Sequence, residues 1–137
     1  MTQLNPAALP KVAVDFMNND HHEAVELINT LLADIEAKEA EKVTQGLQEF
    51  LQHNTAHFAR EEEQMIRINF PPYGCHKGEH ERVLAELEAE IQHWQEEQDF
   101  SHLHHYLSET VVNWLVNHVN TMDSVTAMFI QRFDGAS

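Results

Sequence analysis

The chain has 137 residues, and its 8 Lys plus Arg against 23 Asp plus Glu give a formal charge of -15. That excess repels nucleic-acid phosphates and anionic lipid surfaces, which excludes both as partners. The single cysteine, Cys75, makes neither an internal disulfide nor a thiolate-rich zinc site, so any metal must be held through nitrogen and oxygen.

This length suits one compact domain, taken here as residues 1–137. The opening "MTQLNPAALP" has no basic stretch followed by an apolar run, and no uninterrupted apolar stretch approaches the roughly 18 residues of a membrane span. The expected location is the cytoplasm. Gly and Pro are scarce at four each, and no Val/Ile/Thr-rich alternating run appears, so the fold class is all-α.

Residues 1–17 contain Pro6 and Pro10 and read as an N-terminal arm. Asn18, Asn19 or Asp20 then offers an N-cap for a first helix running to about Lys38. A second helix spans about Ala40 to Ile68, although the join "EAKEAEK" has no Gly or Pro to mark it. "FPPYG" ends the second helix, and a third occupies about His76 to Gln95. Ser101 is the expected N-cap of a fourth helix reaching about Phe133. Short joins predict an antiparallel up-down-up-down four-helix bundle over residues 18–133.

Each helix carries one apolar stripe at steps of three and four. The first has His21, Val25, Ile28, Leu32 and Ile35, and the second has Val43, Leu47, Phe50, Asn54, His57, Glu61, Met65 and Ile68. The third has His76, His80, Val83 or Leu84, Leu87, Ile91 and Trp94, and the fourth has Leu103, Leu107, Val111, Trp114 and His118. Five histidines and a glutamate thus point inward with the aliphatic residues. Burying them unpartnered costs roughly a few kcal/mol each, and more for an ionised carboxylate, so one shared partner must satisfy them. In an up-down bundle their levels coincide at one end of the core.

His57 with Glu61, and His76 with His80, are four apart and share a helix face. His118 and Asp123 are five apart, which in a regular helix turns Asp123 about 140° away. A π-type irregularity between them is expected if Asp123 joins the site. Five imidazoles with two carboxylates are too many for one tetrahedral zinc and too nitrogen-rich for calcium or magnesium. They suit two octahedral iron or manganese ions bridged by carboxylate and a solvent oxygen, with one position left open, and iron is the expected metal.

The order "NNDHHEAVELIN", "HFAREE", "HKGEH" and "WLVNHVNTMD" resembles the hemerythrin family, in particular its stand-alone bacterial members, from Phe16 to about Phe129. The resemblance implies a four-helix bundle around an oxo- or hydroxo-bridged non-heme diiron centre that binds dioxygen reversibly. By position, His76, His80 and His118 resemble the histidines of the filled iron. His21 and His57 resemble those of the iron with the vacancy, and Glu61 and Asp123 the bridging carboxylates. Here His21 and His22 are adjacent, and the stripe selects His21. The fourth helix lacks the proline that kinks it in some relatives.

The remaining candidates read more plainly. His93, His102, His104 and His105 form a polar helix start, His53 has an outer or surface role, and Glu62 and Glu63 belong to a solvated face. Trp114 and Leu115 read as core that also lines the vacant position, and Cys75 as an incidental thiol. Mostly aliphatic stripes beside His21 and His57 favour reversible binding. No motif supplies an electron donor or substrate route, and no output domain accompanies the site. A non-enzymatic, monomeric dioxygen binder is therefore expected, ahead of a sensor, a diiron peroxidase or a nitric oxide reductase, with room for a redox or delivery partner.

Overall fold

Among the described residues, three in the left-handed region punctuate the chain. Lys38, Asn69 and Gln98 have φ of 56°, 55° and 46°, and each follows a helix whose last carbonyls accept from the turning backbone. A single non-glycine residue in this region costs about 1–2 kcal/mol, which the capping hydrogen bonds at each helix end help to offset. Lys38 thus marks the join that lacks both Gly and Pro. A computed structural model describes Leu9 and residues 11–135.

The helices are α1 (Asp15–Glu36), α2 (Ala40–Arg67), α3 (Tyr73–Glu97) and a fourth that starts at Phe100 and ends at Gly135. α1 packs on α2, α2 on α3, α3 on the fourth helix and the fourth back on α1, which closes a four-helix bundle. Among the described residues there is no strand, and no helix is long and apolar enough to cross a membrane.

Several boundaries differ from expectation. α1 begins at Asp15, so residues 15–17 belong to the helix and not to the arm. Asn18, Asn19 and Asp20 therefore lie inside it. The amide of Asn18 clasps the arm instead, accepting from Val12 N–H at 2.8 Å and donating to Val12 O at 2.9 Å. Leu9 and Val12 are buried in the core, while Pro6 and Pro10 lie outside the described residues. α3 starts three residues before His76. Asp99, not Ser101, caps the fourth helix by accepting from His102 N–H at 3.0 Å, because it precedes the helix where its carboxylate reaches the free amides.

The apolar stripes meet as read. Val25, Ile28, Leu32, Ile35, Val43, Leu47, Leu87, Ile91, Trp94, Leu103 and Leu107 form the main core, where each fully buried aliphatic chain contributes roughly 1.5–3 kcal/mol. On the fourth helix Leu115 takes the deep position and Trp114 is half-buried. Val83 and Leu84 share the edge of the third stripe, both half-buried. A second, smaller cluster of Met65, Ile68, Phe70 and Ile130 closes the other end. The inward histidines and carboxylates lie in the layer between the two.

Candidate metal centre

α1 brings His21 to that layer, α2 brings His57 and Glu61, α3 brings His76 and His80, and the fourth helix brings His118 and Asp123. None of the seven is more than 5% exposed. They form two groups whose potential ligand atoms all lie within 4.8 Å of one another: Glu61, His76, His80, His118 and Asp123, and His21, His57, Glu61 and Asp123. Only the two carboxylates belong to both.

Each carboxylate divides its oxygens between the groups. Glu61 Oε2 lies 3.0 Å from His57 Nε2, while its Oε1 lies 3.2 Å from His80 Nε2 and 3.6 Å from His76 Nε2. Asp123 Oδ2 lies 2.9 Å from His21 Nε2, while its Oδ1 lies 3.1 Å from His118 Nε2 and 3.2 Å from His76 Nε2. All five imidazoles therefore turn Nε2 inward. His76 and His118 even face each other Nε2 to Nε2 at 3.0 Å, a contact that two proton-bearing nitrogens could not make.

The fourth helix reaches the site through a change of winding. Regular turns at Phe100–His105, Val112–His118 and Ser124–Gly135 alternate with π-helical turns at Tyr106–Val111 and Val119–Asp123. The second π turn returns Asp123 to the face of His118. No proline drives it; Val119 O accepts the backbone N–H of Ser124 across the π turn and also the Ser124 Oγ proton at 2.7 Å. The spacing of residues along the fourth helix does not predict the first π turn, Tyr106–Val111.

Outside the seven stand residues that fix the rings. His57 Nδ1 donates to Asp20 Oδ2 at 2.8 Å, His76 Nδ1 to Thr126 Oγ1 at 2.9 Å and His80 Nδ1 to Glu62 Oε2 at 2.9 Å. Thr126 Oγ1 spends its own proton on Met122 O and so accepts from His76. Each outward N–H bond fixes its ring with Nε2 facing inward, the atom a metal would take. Phe58 stacks on His80 at 3.9 Å between centroids and Trp114 on His118 at 4.4 Å, while Trp114 Nε1 donates to Glu79 at 2.7 Å.

Glu62 is thus not merely part of a solvated face, as the sequence suggested, because α3 approaches α2 on that side. Asp20 and Thr126 were also not anticipated. They lie off the apolar stripes, and only helix packing sets them beside His57 and His76. His53 takes the outer role expected of it: buried, stacked parallel to His57, and bonded through Nε2 to Asp20 O at 3.1 Å. His22 is exposed, as are Cys75 and Glu63. His102 and His104 pair with Glu90 and Glu36 away from the site.

Burial would raise the pKa values of Glu61 and Asp123 and lower that of His57, yet the pairing among these groups and their neighbours reverses both trends. Burial and Asp123 push Glu61 up, but His57 and His80 outweigh them and lower it. Burial likewise pushes Asp123 up, and hydrogen bonds from His118, His21 and His76 carry it well below the usual carboxylate range. His57, pulled down by burial, is raised to about 10 by Glu61, Asp20 and Asp123. Two buried anions thus demand positive charge between them. Although imidazole nitrogens lie at ion-pair distance, both Glu61 oxygens, Asp123 Oδ1 and His80 Nε2 lack an aligned hydrogen-bond partner. Inward Nε2 atoms and unaligned anionic oxygens are the donor set a hard-to-borderline cation needs, so the residues fit a metal.

The Hemerythrin HHE cation binding domain matches residues 12–130. The chain belongs to the hemerythrin family. It is 33% identical over 124 residues to the bacteriohemerythrin of Aquifex aeolicus (strain VF5), covering 90% of this chain and 95% of that one. It is also 32% identical over 116 residues to the bacteriohemerythrin of Ralstonia nicotianae (strain ATCC BAA-1114 / GMI1000), covering 85% and 81%. No solved structure gives a significant match. In this hemerythrin a cavity of about 90 Å³ has Ala24, Asn54, Phe50, Leu115 and Trp114 in its wall but none of the seven inward residues, and Trp114, stacked on His118, stands between it and the site. Ala24 and Asn54 lie one helical turn from His21 and His57 respectively. Tyr106, Arg82 and Glu86 join the wall, so the lining is less aliphatic than the stripes suggested.

Proposed function

We propose that this hemerythrin holds two iron ions and binds dioxygen reversibly, without enzymatic turnover, at the position served by His21 and His57. The supporting observation is the division of the Glu61 and Asp123 oxygens between a three-histidine and a two-histidine group. Two carboxylates so placed suit a bridge between two ions, and the group with fewer protein ligands is where a small molecule has room. A ferrous pair there would supply the two electrons that dioxygen takes up on binding and returns on release.

The chain's own residues contribute orientation and exclusion of water. Asp20, Thr126 and Glu62 hold the Nδ1 protons of His57, His76 and His80 on the outside, keeping Nε2 free. The apolar clusters on both sides exclude water and limit stray proton delivery, which favours release over oxidation. The neighbouring cavity, with Ala24, Phe50 and Leu115 in its wall, is of a size for a diatomic ligand. Burial pushes the Tyr106 hydroxyl pKa upward, so that group keeps its proton. The ligand expected is dioxygen and the setting a monomer in the cytoplasm.

Metal analysis with an ultraviolet-visible spectrum of aerobically reconstituted protein tests the metal reading. An iron pair per chain with oxo-to-iron charge transfer is expected, and a single zinc per chain would overturn it. Stopped-flow mixing of the reduced protein with dioxygen, followed by degassing, tests reversibility: spectral recovery supports binding, and rapid irreversible oxidation points to an enzyme or a sensor.

A further inference from the structure

The two groups are unequally supported. In the three-histidine group, His80 leans on Glu62 and His76 on Thr126. In the two-histidine group, His21 Nδ1 is buried without a partner, so His57 is the only ring there with an outer acceptor. That acceptor, Asp20, touches none of the ligands His76, His80 and His118.

Asp20 is itself held. Arg60 donates through Nε to Oδ2 at 3.1 Å, and Arg60 Nη2 lies 2.7 Å from Oδ1. Oδ2 therefore receives both His57 Nδ1 and Arg60 Nε, while Oδ1 faces the guanidinium. The pair is bidentate, the arrangement in which an Arg orients a carboxylate best. The Asp20 backbone carbonyl additionally accepts from His53, whose ring lies parallel to that of His57 at 6.0 Å. α1 and α2 are joined at this point by a charge network that ends on one imidazole.

We propose that Asp20, oriented by Arg60, is a positioning residue for His57 and selectively secures the metal at the two-histidine group. The inference rests on the two-metal reading above and adds to it a residue that determines whether the second position fills. Without Asp20 the His57 ring is free to rotate or to take the other tautomer. The position with the fewest protein ligands then loses half of its imidazole donors, while the three-histidine group keeps all of its own.

Anaerobic titration of the full-length metal-free chain with ferrous iron, read by metal analysis after desalting, separates the possibilities. Wild type should fill in two steps; a single step would overturn the two-metal reading itself, independently of Asp20. Asp20→Ala should retain the first step and lose the second. Asp20→Asn, which keeps the shape but not the charge, should weaken the second step about 10- to 100-fold and leave the first unchanged. Arg60→Gln should shift the second step in the same direction by a smaller factor. If Asp20→Ala fails to fold by far-ultraviolet circular dichroism, Asp20→Asn decides alone. A second step of wild-type strength in Asp20→Asn, or equal weakening of both steps, would overturn the proposal.

Discussion

His118 and Asp123 are five residues apart, yet His118 Nε2 lies 3.1 Å from Asp123 Oδ1. A regular helix would separate these side chains by about 140°. The π-helical turn Val119–Asp123 cancels that rotation. If the turn acts only to restore the facing, deleting the exposed Thr121 should convert it to an ordinary turn with a four-residue spacing. Metal content and helicity should then be retained. Inserting one alanine after Asn120 should abolish metal binding, and metal analysis of the two variants provides the comparison.

The adjacent histidines of α1 differ in burial: His21 is 2% exposed and His22 lies on the surface. His21→Ala should remove metal from the two-histidine group. His22→Ala should retain metal and change stability by no more than about 0.5 kcal/mol. A loss of metal in His22→Ala would contradict the placement of His21.

Thr126 is fully buried and accepts the Nδ1 proton of His76. Thr126→Val keeps the shape but strands that N–H, so the metal-free chain should lose roughly 1–3 kcal/mol. The urea midpoint should fall with the slope unchanged.

The metal-free and metal-loaded proteins should respond oppositely to pH. His57 is raised from 6.5 to about 10, so its contribution to folding is complete below 6.5 and disappears as pH rises through 10. Asp20 is lowered from 3.8 to about 2, against burial, by hydrogen bonds from His57 and Arg60. Its contribution is complete above 3.8 and disappears as pH falls through 2. The metal-free chain should therefore be most stable between these limits, at mildly acidic pH. Metal binding requires unprotonated imidazoles and so strengthens as pH rises. Scanning calorimetry should show the difference in melting temperature between loaded and metal-free protein widening above pH 6.5, and a constant difference would contradict this account.

How much of this was legible beforehand follows from the range of each interaction. The stripe "HFARE" places His57 and Glu61 on one face whatever the surroundings, because helical spacing is local. The same holds for His76 with His80, and for the irregular turn that the five-residue spacing of His118 and Asp123 requires. The inward direction of the five histidines and Glu61 follows from their register with Leu, Ile and Val, whereas Asp123 needs the π turn.

What depends on two helices meeting could not be read along one of them. Asp20 looked like an N-cap because its own helix gives it no other partner; the approach of α2 makes it the acceptor for His57 and the mate of Arg60. Glu62 looked solvated until α3 set His80 beside it. By itself the sequence determined the bundle, the inward stripes and the groups they carry, since these follow from backbone periodicity and burial. Only the tertiary structure decided which oxygen faces which imidazole and which outer residue holds each ring, because hydrogen bonds are set by distances of a few ångströms between segments far apart in the chain.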